Sequence, residues 1–182
     1  MGLLLVTFIC TTSCAHNTTP LADSSPSFLQ HYFDYGGKYD STVKDLESER
    51  LSADIQRKIA KSDIQALKGG DTVLLVGNVA SSVDIEVARS IVFTTYSNTD
   101  IIKKLTVDSP RSSKQLQIDN SIASKAYSII EKQKLARVKS CSFNNDVYLI
   151  YPHQLPPEKL DVLKVALKKG NKNMNSIIDF AY

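Results

Sequence analysis

The chain has 182 residues, 42% of them hydrophobic and 23% charged, which fits a globular protein of one domain or two small ones and excludes a disordered or fibrous chain. Its 22 basic and 19 acidic residues leave a formal charge of +3, too slight an excess to imply nucleic acid yet compatible with an anionic membrane surface. Only three cysteines are present, Cys10, Cys14 and Cys141, so a scaffold of several disulfides is excluded, and no apolar run is long enough to cross a bilayer as a helix.

The first stretch, Leu3-Leu4-Leu5-Val6-Thr7-Phe8-Ile9, is a short apolar segment followed by the small residues Thr11-Thr12-Ser13 and then Cys14. That is the layout of a secretory signal. With cysteine directly after the small residues it resembles a bacterial lipoprotein signal. The resemblance implies that residues 1–13 are the signal peptide and that Cys14 is the acylated anchor. Ala15, in place of the aspartate of inner-membrane retention, implies the periplasmic face of the outer membrane. Residues 14–42 then read as a polar tether with Pro20 and Pro26. Within it lies the aromatic stretch Phe28-Leu29-Gln30-His31-Tyr32-Phe33-Asp34-Tyr35. That stretch is either a segment folded back on the globular part or a contact with membrane or partner.

From Val43 the chain becomes charged and periodic. Val43, Leu46, Leu51, Ile55 and Ile59 fall near helical spacing and predict a helix to about Ser62. Asp63 to Leu67 is a short strand, Gly69-Gly70 a turn, and Thr72 to Val79 the return strand, a compact run rich in β-branched residues. Ser81-Ser82 cap a helix whose stripe is Val83, Val87, Ile91 and Val92. Ile101 to Val107 is a third strand, closed by Ser109-Pro110. The order then restarts. A helix over about Asp119 to Lys134 presents Ile118, Ile122, Ala126, Ile129 and Ile130 on one face. A strand follows over Leu135 to Phe143, then the turn Asn144-Asn145-Asp146 and a return strand over Val147 to Tyr151. Pro156-Pro157-Glu158 opens a helix with the buried stripe Leu160, Leu163, Ala166 and Leu167. Lys168-Lys169-Gly170 closes it, and a last strand covers Asn175 to Tyr182. The prediction is α+β: two small αββαβ domains, 43–110 and 111–182, each with two helices on one face of a three-stranded sheet. The other face must meet the neighbouring unit, a partner or water.

This order, with Val73-Leu74-Leu75-Val76-Gly77 at the end of a strand and Asn145-Asp146-Val147-Tyr148-Leu149 at a hairpin, resembles the BON-domain proteins. More narrowly, it is similar to the dual-BON outer-membrane lipoproteins associated with cell division and envelope integrity. In the second copy the glycine is absent and Tyr151-Pro152 stands in its place. The resemblance implies a non-catalytic lipoprotein that binds anionic phospholipid or envelope proteins and supports envelope integrity. In that family the first helix of the second domain carries the lipid site. The positions here are Ser121, Lys125, Tyr127, Lys132 and Lys134, whose plainer reading is a solvated helix face. A second basic cluster, Lys164, Lys168, Lys169 and Lys172, has the dipole and solubility as its ordinary explanation and anionic lipid as the bolder one.

No catalytic residues, metal site or cofactor are expected. His16, His31 and His153 stand at no metal-ligand spacing, and no nucleophile elbow or phosphate-binding glycine loop occurs. Cys141 reads as a small, partly buried side chain. The alternative is a structural lipoprotein subunit of an envelope-spanning secretion machine, whose periplasmic rings are built from small α/β domains of this kind. Strand edges would then pair between subunits. A KH-like nucleic-acid module is a distant third reading, since the chain lacks the G-x-x-G loop and export would remove it from its ligand.

Overall fold

The computed structural model describes residues 45–135 and 137–182; Cys14, the aromatic stretch Phe28–Tyr35 and Val43 lie outside the described residues. The elements run α1 (Leu46–Lys58), β1 (Asp63–Gly69), β2 (Thr72–Val79), α2 (Ser82–Thr95) and β3 (Asp100–Val107), then α3 (Ser113–Lys132), β4 (Lys139–Phe143), β5 (Asp146–Tyr151), α4 (Pro157–Gly170) and β6 (Ile177–Ala181). Among the described residues the fold is α+β, with four helices and two three-stranded sheets. The sheet orders are β1-β2-β3 and β4-β5-β6. In each, the central strand is antiparallel to the first and parallel to the third.

Every residue of β2 is buried, and side-chain alternation sends its residues to two different cores. Val73, Leu75 and Val79 face α1 and α2, meeting Leu51, Ile55, Ala88, Ile91 and Val92. Leu74 and Val76 face the other way, where Leu67 joins them against Phe143, Tyr148 and Ile150 of the second sheet. Val147 and Leu149 of β5 complete the alternation by packing under α3 and α4 with Ile122, Leu163 and Leu167. The order of layers is therefore helices, sheet, sheet, helices. The inner faces of the two sheets pack on each other, so the unpartnered face meets the neighbouring half. Each large side chain so buried contributes about 1.5–3 kcal/mol. A strand covered on both sides favours a continuous apolar run, which in β2 is Val73 to Val76.

Local chemistry sets the ends of the elements. Ser81 accepts from the backbone N–H of Asp84 at the start of α2 and Ser112 from that of Gln115 at the start of α3, each satisfying a free helix donor. Gly77 has φ 149°, and a side chain there would strike the backbone oxygen of Asp63 on β1. The second half needs no such glycine. β4 starts at Lys139 opposite Ile150, so Tyr151 pairs with Ala181 of β6 but has no β4 residue opposite it, and its hydroxyl donates to Asp179 at 3.1 Å.

Several expectations are corrected. Helix α1 ends at Lys58, with Ile59 already extended and Lys61 at φ 59°, so the chain turns before Ser62. Leu46, Val83 and Val87 are exposed. The inward stripe of α2 is Ala88, Ile91 and Val92, with Ile85 packed partly against it. Helix α3 begins six residues earlier than the apolar stripe suggested, at Ser113, because the Ser112 cap nucleates it. It ends at Lys132, and Lys134, at φ 56°, lies beyond it. Leu135 and Val138 are buried in the connection to β4, which reads as strand from sequence although pairing starts at Lys139. The second hairpin turns on Asn144 and Asn145 alone, both with positive φ, as a two-residue turn of the I′ kind requires. Asp146 is the first paired residue of β5.

Candidate functional site

The outer surface of the second half is built by α3 and α4. Helix α3 buries Ile122, Ala126 and Ile130, and α4 buries Leu160, Leu163 and Leu167. These stripes leave the opposite faces in water. At 3.6 residues per turn, Ser121, Lys125 and Lys132 fall within about 40° of one another around α3, and all three are exposed. Lys114 falls on the same line and is also exposed. No acidic residue interrupts that line, and among the described residues none of these lysines is in an ion pair. Tyr127 is half-buried and sits about 120° or more around the helix. Lys134 is exposed beyond the helix end. The structure thus brings together three of the five expected residues and leaves Tyr127 and Lys134 off their line.

The second basic cluster lies nearby. Gly170 ends α4 so close to α3 that a Cβ there would come within 2.6 Å of Ile129 Cδ1. Lys168 and Lys169 are exposed in the last turn of α4, about 160° and 100° around that helix from Gly170. Lysines in last turns also offset the negative ends of the helix dipoles. Lys164 belongs to a different role, since it pairs with Asp179 of β6 at 2.8 Å.

A second constellation, invisible to the sequence reading, lies between the halves. Arg111 is 2% exposed. Its Nε and Nη2 donate to the two carboxylate oxygens of Asp63 at 2.6 and 2.8 Å. Its Nη1 donates to Asp119 at 2.7 Å and to the Ser142 carbonyl at 3.1 Å. The guanidinium also stacks 4.1 Å from the Phe143 ring centroid. Burial alone would lower the Arg111 pKa, but the hydrogen bonds and charges of Asp63 and Asp119 outweigh it and the pKa is raised. Asp119 is saturated as well, accepting from the backbone N–H groups of Asn144 at 3.0 Å and Asn145 at 2.8 Å. A fork of donors against two carboxylates is the geometry in which a buried arginine stays charged. The only sequence hint is Asp119, an acid on the buried line Asp119, Ile122, Ala126 and Ile130 of α3. Arg111 follows a proline and belongs to no periodic element.

Other polar groups are spread thinly. At the far end of the sandwich a cleft of about 800 Å³ lies between the Gly69–Gly70 turn and Tyr182; Lys68, Arg137 and Lys139 line it together with Glu47, Asp71 and Asp100. Bases and acids balance there. His153 lines the same cleft and donates its backbone N–H to Tyr182 at 2.9 Å. Among the described residues no group of three histidine, cysteine or carboxylate side chains could hold a metal ion. Cys141 is buried in the inter-sheet core, and burial pushes its thiol up to about 12, far from a nucleophile's range.

No family model matches the chain, and no curated protein matches it. Among solved structures, one likeness is to CdsD, a structural protein of the Type III secretion system of Chlamydia trachomatis, at 11% sequence identity and a TM-score of 0.29, covering 78% of this chain. The chain spans 62% of that protein's length. A likeness of that degree bears on neither the fold nor the role of this chain.

Proposed function

We propose that this chain is a non-catalytic outer-membrane lipoprotein, anchored through Cys14 and built of two BON-like domains over 43–110 and 111–182. Its second-half helical face contacts anionic phospholipid. The observation that carries the lipid contact is the exposed basic line Lys114, Lys125 and Lys132 on α3, which makes no ion pair among the described residues. A lysine near an anionic leaflet contributes about 1 kcal/mol, so the face alone binds weakly. Joined through residues 15–42 to an acyl anchor, it acts at high effective concentration. The repeated αββαβ order supports the two-domain reading. The mixed charge of the cleft and the coordination of Arg111 by its own neighbours support a role without catalysis.

The test is co-sedimentation of the unacylated form, residues 15–182, with vesicles of phosphatidylglycerol and phosphatidylethanolamine at low and high salt. Binding should require the anionic lipid, weaken with salt, and fall when Lys125 and Lys132 become alanine. Equal binding to neutral vesicles, or none to either, would overturn the lipid reading. A second reading, a structural subunit of a secretion machine, draws on the sheet edges: β3 and β6 each end their sheet with one side unpaired. Such edges can accept a strand from another subunit. Stable co-assembly with envelope proteins in the absence of lipid would favour it.

A further inference from the structure

The cleft at the far end of the sandwich carries charge that its own walls do not neutralise. The first half supplies the acids Glu47, Asp71 and Asp100 to it, with Lys68 as its one base. Lys68 is already engaged: Glu47 lies 4.0 Å away, and the ammonium donates to the Gly70 carbonyl at 2.7 Å. The second half supplies Arg137, Lys139 and His153 and no acid. Lys139 is held by Asp45 at 2.8 Å. Arg137, Asp71 and Asp100 are exposed, and among the described residues none of them is in an ion pair. One wall thus offers two unpaired carboxylates and the other an unpaired guanidinium.

The two carboxylates belong together. The backbone N–H of Asp100 donates to the Asp71 carbonyl at 2.8 Å, and Asp100 stands beside Thr72 in the register of β3 on β2. Main chain is on offer beside them. β3 begins with Asp100 in the cleft, and Ile102 lines it too. Among the described residues β3 is the outer strand of its sheet, so its outward N–H and C=O groups can pair with an added chain. The volume of about 800 Å³ lies in the range of small-ligand sites.

We propose that this cleft binds a short peptide with both termini free. Its ammonium meets Asp71 and Asp100, its carboxylate meets Arg137, and its backbone lies along the start of β3. A ligand with a single charge would leave one wall unmatched, and one without peptide groups would leave the strand edge unused. Two or three extended residues set the termini about 7–10 Å apart. Exposed ion pairs are individually weak, so a dissociation constant on the order of 1 mM is expected. The site uses no residue of α3 and stands apart from the lipid contact.

The test titrates trialanine into nitrogen-15-labelled protein, residues 15–182, and follows the amide shifts by NMR. Saturable shifts are expected at Gly70, Asp71, Asp100 and His153. Trialanine amide and N-acetyl-trialanine should each bind about threefold or more weakly. Arg137→Met should bind trialanine and its amide equally. Asp71→Asn combined with Asp100→Asn should bind trialanine and its N-acetyl form equally. All three side chains are exposed, so these variants should keep the wild-type midpoint of thermal unfolding. No saturable shift at about ten times the expected constant, shifts only outside the cleft, or equal binding of capped and uncapped peptides by wild type would overturn the proposal.

Discussion

Replacing Arg111 with methionine keeps much of the apolar stem and removes the charge, so it isolates the bridge between the halves. The variant leaves Asp119, 1% exposed, and Asp63, 12% exposed, without their cation. Breaking a buried ion pair from one side costs about 3–5 kcal/mol. Asp119 keeps the backbone donors of Asn144 and Asn145, and Asp63 reaches solvent, so the lower half of that range is expected, about 3 kcal/mol. At about 3–4 °C per kcal/mol for a folded body of this size, the midpoint of thermal unfolding should fall by roughly 10 °C. Arg111→Lys keeps the charge but loses the fork, so it should fall by about half as much. The assay is thermal and urea unfolding followed by far-ultraviolet circular dichroism. A fall of less than about 3 °C for Arg111→Met would refute the claim that the bridge holds the halves together.

Two further outcomes follow from single positions. Gly77→Ala should destabilise by about 2–4 kcal/mol in urea unfolding, because the new methyl meets the Asp63 carbonyl in a conformation that favours glycine; a loss under about 1 kcal/mol would contradict that. For Cys141, the folded thiol titrates near 12 against an ordinary 9.0, mainly through burial. The unfolded chain therefore loses the proton first. The thiol's contribution is intact below pH 9 and is lost as pH rises toward 12. Between pH 8 and pH 10 wild type should lose about 1.4 kcal/mol more stability than Cys141→Ala. Parallel pH curves would contradict the assignment.

What could be read from the sequence was whatever depends on near neighbours. β2 is found from Thr72 to Val79 as expected, because a strand buried on both faces carries a continuous apolar run, here Val73 to Val76. The αββαβ order was legible because hydrophobic period switches at each boundary. The stripe of α2 was misjudged because valines occur all round that helix, and only the packing partner decides that Ala88 goes in and Val83 stays out. The extra length assigned to β4 has the same origin: Leu135 and Val138 are buried without pairing. Beyond the hint of an acid, Asp119, on the buried line of α3, the inter-half bridge was not legible, since Arg111 gains its meaning from Asp63, 48 positions earlier in the chain. On α3, the line through Ser121, Lys125 and Lys132 follows from helical spacing alone, whereas the displacement of Lys134 depends on where the helix stops.

The most direct measurement of the proposed membrane contact is an environment-sensitive fluorophore on single engineered cysteines. Ser128→Cys lies on the exposed basic line of α3 and Ser90→Cys on the exposed face of α2. Cys141 is buried, and with its thiol pushed up to about 12 it does not compete for the label. With residues 15–182 and vesicles containing phosphatidylglycerol, the label at position 128 should shift to the blue and the label at position 90 should stay unchanged. A shift at position 90 with none at position 128, or no shift at either, would contradict a lipid contact through the second half.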